Sequence, residues 1–329
     1  MAKRREAGEF EFISAYFGPL AEGHPGALGL ADDAALLELE PGQRLVVTTD
    51  TIVAGIHFLE DDPPELIARK LLRVNLSDLA AMGAAPIAYL LSVALPRERR
   101  AEWLEAFCRG LRADQEEFGL TLIGGDTLAT PGPLTLGLTA LGEVGHGEEL
   151  RRSGAQAGDT VFVSGTIGDA VLGLKALRGE LDSLQGALRE QVVERYHLPR
   201  PRLKLGLGLR GIAHAALDVS DGLVGDLAHI CAASGVGATL EWPRVPLSEA
   251  GKRAVEADPA LVPALLGGGD DYELLFTVAP QAHEEIAALG GGLGLPLTAV
   301  GHITGGRGVA VVDAKGAEIE IEQLGYRHF

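Results

Sequence analysis

Thiols are nearly absent from this chain. Cysteine occurs only as Cys108 and Cys231, in unrelated surroundings and without CxxC spacing. That pattern argues against a zinc ribbon, a dithiol redox pair or a disulfide scaffold, and both residues read as small buried hydrophobes in a reducing cytoplasm. Positive charge is also short: 28 Lys and Arg stand against 46 Asp and Glu, a net charge of −18. Phosphate backbones are gripped through surplus Lys and Arg, so nucleic acid is not an expected partner. Hydrophobic residues reach 47%, yet no apolar run approaches the ~20 residues of a membrane span. The opening MAKRREAGEFEF is basic without an apolar stretch behind it, so it does not read as a signal peptide, and the expected location is cytoplasmic. GxxxxGK[ST] does not occur, which removes the P-loop. A GxGxxG match at Gly206–Gly211 follows Pro199-Arg200-Pro201-Arg202 instead of a strand, and a dinucleotide fingerprint needs strand, turn and helix. No Ser-His or Cys-His pairing is evident.

What the chain does have is length, glycine and carboxylates at repeated places. Its 329 residues favour two domains at roughly 100 to 200 residues each. The 45 glycines point to tight turns and close backbone approaches. Leu45–Val47 reads as a short buried strand that delivers Thr48, Thr49 and Asp50 to a sheet edge, with His57 seven residues on. Upstream, Gly8–Phe17 reads as a short helix or strand stopped by Gly18-Pro19. The adjacent Asp32 and Asp33 lie between apolar runs, where uncompensated carboxylates are costly.

From Pro63 to Met82 the pattern is helical, with Asp61 or Asp62 as cap and Gly83 as terminator. Leu71, Asn75, Asp78 and Met82 share one stripe of that helix, so Asp78 sits in a half-apolar row. A second helix is expected over Arg97–Phe118, with Trp103, Phe107 and Leu111 inward. Leu120–Asp126 repeats strand, glycines, acid; Leu134–Val144 gives another strand; and the Gly-rich stretch 145–158 is the expected domain boundary, giving domains 1–148 and 149–329. In the second half, Asp159–Gly165 and Ala215–Asp218 read as strands, with Ser220 as helix cap and Asp221 in the first turn of the helix that follows. Gly267–Leu274 again sets glycines before acids.

Acids at Asp32/Asp33, Asp50, Asp78, Asp126 and Asp218/Asp221 would repel one another if they converged, unless multivalent cations joined them. Oxygen ligands without a Cys or His cluster select Mg²⁺. An acidic cleft holding several Mg²⁺ suits phosphoryl transfer. The segments LADDAALL, VTTDTIVAGIHF, VNLSDLAAMGA, LIGGDT, RRSGA, LDVSDGL and GGGDDYEL, in this order, resemble the thiamine-monophosphate kinases, members of the aminoimidazole-ribonucleotide-synthetase-like ATP-binding superfamily. The likeness runs from Gly8-Glu9-Phe10 to Gly325-Tyr326.

That resemblance implies an α/β fold of two domains: an N-terminal α/β domain that dimerises through its sheet, a C-terminal α/β domain, and an ATP site in the cleft between them. It implies metal ligands at Asp33, Thr48, Thr49, Asp50, Asp78, Asp126, Asp218 and Asp221. It carries nucleotide contacts to Gly125, Arg152 and Ser220, and acceptor contacts to His57, Asp270 and Tyr326. Relatives usually have Gly where Ala31 stands, and many have Glu where Asp270 stands. An acceptor phosphate monoester is already largely ionised at pH 7, its second pKa being about 6. Direct in-line transfer to it from ATP therefore needs no general base, and Asp270, Asp271 and Tyr272 or Tyr326 would suit a thiazolium cation. Two other readings stay open: an ATP-dependent synthetase of the same superfamily, and a non-catalytic metal- or nucleotide-binding protein.

Overall fold

A computed structural model describes residues 9–96, 101–321 and 325. In chain order the elements are α1 (Glu9–Tyr16), β1 (Gln43–Val53), α2 (Pro64–Ala81), β2 (Ala85–Pro96), α3 (Ala101–Phe118), β3 (Thr121–Thr130), β4 (Thr135–Gly145), β5 (Thr160–Ser164), α4 (Asp169–Leu177), α5 (Ala187–His197), α6 (Leu203–Gly208), β6 (Ala215–Asp218), α7 (Leu223–Ser234), β7 (Gly237–Glu241), α8 (Glu249–Ala257), α9 (Val262–Gly267), β8 (Leu274–Val278), α10 (His283–Leu293), β9 (Leu297–Thr304) and β10 (Gly308–Val312). The chain divides into two compact units: residues up to Leu79 with Ala85–Gly145, and Ala80–Ala84 with everything from His146 onward.

The first unit is built on a four-stranded sheet in the order β1-β4-β2-β3, so β1 and β3 are its edges. Strand alternation sorts its residues onto two faces. One face carries Ile52, Leu136, Leu138, Ala140, Tyr89, Leu91 and Val93, all buried. On this side Thr48 bonds to Asp78 of α2, and α2 is fastened to α3 by a bidentate pair from Arg73 to the buried Asp114, both contacts under 3 Å. Gly110 makes that packing possible, because a Cβ there would stand 2.2 Å from the Glu65 carbonyl oxygen. The opposite face carries Leu45, Val47, Leu90 and Leu128, which are 43%, 56%, 37% and 49% exposed. Among the described residues, one end of it is covered, where Ala21 and Ala27 pack on Ala88, Ile123 and Leu141.

This corrects the reading of Leu45–Val47 as a short buried strand. The strand continues to Val53, paired with β4 over its whole length, and Leu45 and Val47 point outward. Thr48, Thr49 and Asp50 are thus mid-strand residues of an edge strand, held extended because Thr and Val favour a pleated surface.

The second unit has a six-stranded sheet in the order β10-β7-β9-β5-β8-β6. The β10–β7 pair is parallel and the other pairs are antiparallel. Its two faces are both covered. Val161, Val163, Leu217 and Leu275 pack with Leu223, Leu227 and Ile230 of α7, whereas Phe162, Ala216, Leu274 and Phe276 pack with Leu205 of α6 and Ile286 of α10. A helical layer of α4, α5, α8 and α9 closes over Leu172, Val192, Ala254 and Leu265. The GxGxxG match falls on α6 and the turn after it, with no strand before it. Among the described residues no helix is long and apolar enough to cross a membrane.

Candidate functional site

Period-two alternation splits the Thr48-Thr49-Asp50 triplet. Thr48 and Asp50 point toward α2, while Thr49 points to the exposed face, where it donates to Leu138 O at 3.0 Å and accepts from Thr139 Oγ1 at 3.1 Å. The stripe expected on α2 meets β1 here: Thr48 Oγ1 donates to Asp78 Oδ2 at 2.5 Å. Asn75, three residues earlier, accepts the Asp50 N–H at 3.1 Å and anchors its own amide on Leu71 O at 2.9 Å. Asp50 and Asp78 are thereby held half-buried on one side of the sheet, backed by a fully buried Asn.

His57 closes the turn after β1. Its Nδ1 accepts the Val53 N–H at 3.1 Å, which places the neutral ring's proton on Nε2.

Asp126 is exposed on β3 and faces the other way. Register sets it opposite Ser92, Ser92 opposite Gly137, and Gly137 opposite Thr51. At a strand spacing of about 4.8 Å it lies roughly 14 Å from β1. Gly125 is demanded by the fold itself, since a Cβ would meet the Leu91 carbonyl oxygen at 1.9 Å. Asp33 is exposed in the segment between the short helical turn Pro25–Leu30 and β1. Ala31 has φ −108°, ordinary for an L residue; the left-handed positions are Leu28, Gly29 and Leu30 instead. The Gly-to-Ala departure at 31 therefore costs no strain.

In the second unit, the chain from β6 to α7 carries Asp218, Ser220 and Asp221. The structure corrects the expected cap: Gly222, not Ser220, is the N-cap of α7, and no side chain of the cap residue bonds the helix. Asp226, one turn inside α7, reaches back so that its Oδ2 accepts the N–H groups of Asp221 and Gly222 at 3.0 and 3.1 Å. Burial pushes the Asp226 carboxyl up to about 7 against the pull of those two bonds; Asp221 raises it further and Arg152 lowers it. Sequence reasoning passed over Asp226, because it expected Ser220 as the cap and the Gly222 N-cap emerges only from the structure.

The Gly267–Glu273 turn is zipped to this segment. Asp270 N–H donates to Ser220 O at 2.9 Å, Tyr272 N–H to Val219 O at 2.8 Å, and Val219 N–H to Glu273 O at 2.8 Å. A Cβ on Gly269 would stand 2.1 Å from Ser220 O, so glycine is required there. Asp270 has φ 72°, a conformation in which Asp is several-fold enriched over longer side chains. Tyr272 OH donates to Asp270 Oδ1 at 3.3 Å. Tyr326 lies outside the described residues.

The structure thus joins Thr48, Asp50 and Asp78 in one unit and Asp218, Ser220, Asp221 and Asp270 in the other, with Arg152 near Asp226. Among the described residues no group of three or more His, Cys, Asp or Glu is already placed to hold a metal ion. The donor set is all oxygen, with both cysteines free and their thiols pushed up to about 12 (Cys108) and 11 (Cys231) by burial. Hydroxyls and carboxylates of this kind fit a hard cation such as Mg²⁺. Cys231 is buried as expected; Cys108 is only partly so.

Residues 31–144 match the AIR synthase related protein N-terminal domain, and residues 156–314 match the C-terminal domain of that family. A thiamine-monophosphate kinase of Caulobacter vibrioides is 42% identical over 323 residues, covering 97% of this chain and 90% of its own. The chain belongs to the thiamine-monophosphate kinase family. A solved thiamine-monophosphate kinase of Stenotrophomonas maltophilia K279a superposes with a TM-score of 0.79 at 45% identity, covering 86% of this chain and 89% of that one. AaThiL complexed with AMPPCP and TMP superposes with a TM-score of 0.78 at 30% identity, covering 100% and 99%. Membership of this family confirms the resemblance drawn from the ordered motifs, and the two-domain α/β architecture with it.

Proposed function

We propose that this chain phosphorylates thiamine monophosphate to thiamine diphosphate with ATP, acting in the cytoplasm. The observation that carries the reading is full-length likeness to thiamine-monophosphate kinases, 42% over 97% of the chain. The neighbour holding AMPPCP and TMP supports the two substrates.

In this reading Mg²⁺ ions would be held by oxygen ligands from Asp33, Thr48, Thr49, Asp50, Asp78, Asp126, Asp218 and Asp221; Thr49 and Asp126, on the sheet face opposite Thr48 and Asp50, would not share an ion with that pair. Mg²⁺ held by such ligands would supply positive charge between an anionic acceptor oxygen and an anionic γ-phosphate. The chain's own residues orient the partners. Gly125, Ser220 and Arg152 contact the nucleotide, while His57, Asp270 and Tyr326 hold the acceptor. Because the acceptor phosphate is already largely ionised above its second pKa of about 6, no side chain has to remove a proton, and no phosphoryl-enzyme forms. Trapping a covalent phosphoprotein on ATP addition would contradict this.

The exposed face of the first sheet supports a homodimer. Leu45, Val47, Leu90 and Leu128, four large apolar side chains at 37% exposure or more, share one sheet face, where a monomer gains nothing from them. The test of the function is the conversion of thiamine monophosphate to thiamine diphosphate by purified protein with ATP and Mg²⁺. Thiamine diphosphate and ADP in equal amounts support it; free phosphate released with other acceptors points to a synthetase; and no turnover points to a binding protein.

A further inference from the structure

Two of the four described non-glycine residues with left-handed backbone are Asp270 and Tyr272, at φ 72° and 52°. Tyrosine gains nothing intrinsically in that region, so the conformation must be imposed from outside the turn. The bonds to Val219 and Ser220 hold its outer edge. Its inner edge is held by a buried ionic cluster that the phosphoryl-transfer reading does not use.

Asp271, between the two left-handed residues, turns inward and takes the Gly168 N–H on both carboxylate oxygens at 3.0 and 2.8 Å. Arg195 Nη2 donates to the Asp271 carbonyl at 3.1 Å and to Glu273 Oε1 at 2.9 Å, bridging both ends of the inner edge. Glu273 is completely buried. It also accepts from Ser164 Oγ and Arg202 Nε, each at 2.6 Å, and from Arg202 Nη2. Gly165 leaves the space that this carboxylate fills, since a Cβ there would lie 2.3 Å from Glu273 Oε1. Burial raises the Asp271 carboxyl well above its usual value, with Asp169 and Glu273 adding to the rise. Both guanidiniums converge on Glu273, whereas Asp169 is held by the hydroxyls of Thr166 and Ser248. Arg195 Nη1 stays buried without a partner, so the guanidinium is fixed by its Nη2 bridge and not by general satisfaction of its donors.

We infer that Arg195, anchored on Glu273 with Arg202 closing the other side, is a positioning residue that sets the Asp270–Tyr272 turn and through it the affinity for the acceptor. The step to the acceptor rests on the proposed contact of Asp270 with thiamine monophosphate. A lysine ammonium is a strongly hydrated point charge on a flexible stem that ends short of the Nη2 position, so it does not hold the bridge between the carbonyl and the carboxylate.

The test uses the full chain with Arg195→Lys, and Arg202→Lys as the milder change at the less buried arginine. Amide hydrogen exchange over residues 267–274 is read without ligand, and KM is measured for both substrates. The expected result for Arg195→Lys is exchange faster by about tenfold in that segment alone. KM for thiamine monophosphate should rise about tenfold, with kcat and KM for ATP moving less than about threefold. Arg202→Lys should give the same pattern more weakly. Unchanged exchange in both variants overturns the inference. So does faster exchange throughout the second unit with both KM values and kcat impaired alike, because the cluster would then serve only stability. If exchange rises in the segment but neither Arg195→Lys nor Asp270→Asn changes KM for thiamine monophosphate, the turn-setting role of Arg195 is upheld. The acceptor contact of Asp270 is then what has failed.

Discussion

Asp226 carries the clearest pH signature at the scale of single residues. Its carboxyl is raised to about 7 chiefly by burial, so the folded chain holds a proton there that the unfolded chain has released. Its contribution is therefore fully present below the unfolded value near 4 and is lost as pH rises through about 7. Asp226→Asn keeps an oxygen for the Asp221 and Gly222 N–H groups and cannot ionise. In chelator-treated protein, the stability difference between variant and wild type should widen in favour of the variant between pH 4 and 7. The limiting slope is about 1.4 kcal/mol per pH unit, read from denaturant midpoints. A constant difference across that range would rule out the assigned titration.

The acids whose sequence context singled them out behave differently. Asp78 stood out by its stripe on α2, and it does meet Thr48. Asp78→Asn should lower kcat at least about a hundredfold by weakening the metal's hold, whereas His57→Ala should mainly raise KM for thiamine monophosphate. Matching losses in both parameters for the two variants would mean that they share one role. Asp226 was missed because a carboxylate inside an apolar helix looks like an ordinary surface residue until the N–H groups it accepts from are known.

Helix α2 was legible almost to the residue, expected over 63–82 and found at Pro64–Ala81, because prolines, stripe and terminal glycine all agree. Strand β4 was equally plain, expected at 134–144 and found at Thr135–Gly145. Strand β1 was cut short in the sequence because Thr-Thr-Asp also suits a turn. Pairing with β4 through all eleven residues overrides that local ambiguity. Strand periodicity also explains why Thr49 and Asp126 stand on the face opposite Thr48 and Asp50: a run of ligand-like letters in one strand necessarily alternates. The stretch from Val236 to Leu266, with β7, α8 and α9, has no motif and drew no assignment.

Element packing makes a sharp contrast between two glycines. Gly110→Val forces a side chain onto the Glu65 carbonyl, 2.2 Å from the Cβ position. It should cost about 2–4 kcal/mol in denaturant unfolding. Gly291→Ala in α10 meets nothing within 4 Å and should stabilise by about 0.5–1 kcal/mol. Equal effects from the two would refute the packing described for α2 against α3.

For the whole molecule, composition excluded more than it identified: the acidic balance argued against nucleic acid, and the two dispersed cysteines against a thiol scaffold. The ordered motifs supplied the family, and the two sheets supply the architecture. The exposed apolar side chains on one face of the first sheet were not readable from the letters, because Leu45 and Val47 look like core residues until register shows which way they point. If that face joins two copies, Val47→Glu with Leu128→Glu should convert a dimer to a monomer by sedimentation equilibrium, and a wild-type monomer at micromolar concentration would end the dimer proposal.

The central claim is that this chain moves the γ-phosphoryl group of ATP onto the phosphate of thiamine monophosphate. It is tested most directly by ³¹P NMR of the purified protein with ATP, Mg²⁺ and thiamine monophosphate. The account predicts thiamine diphosphate and ADP appearing in step without inorganic phosphate. Inorganic phosphate in place of the new diphosphate, or an unchanged spectrum with folded protein, would contradict it.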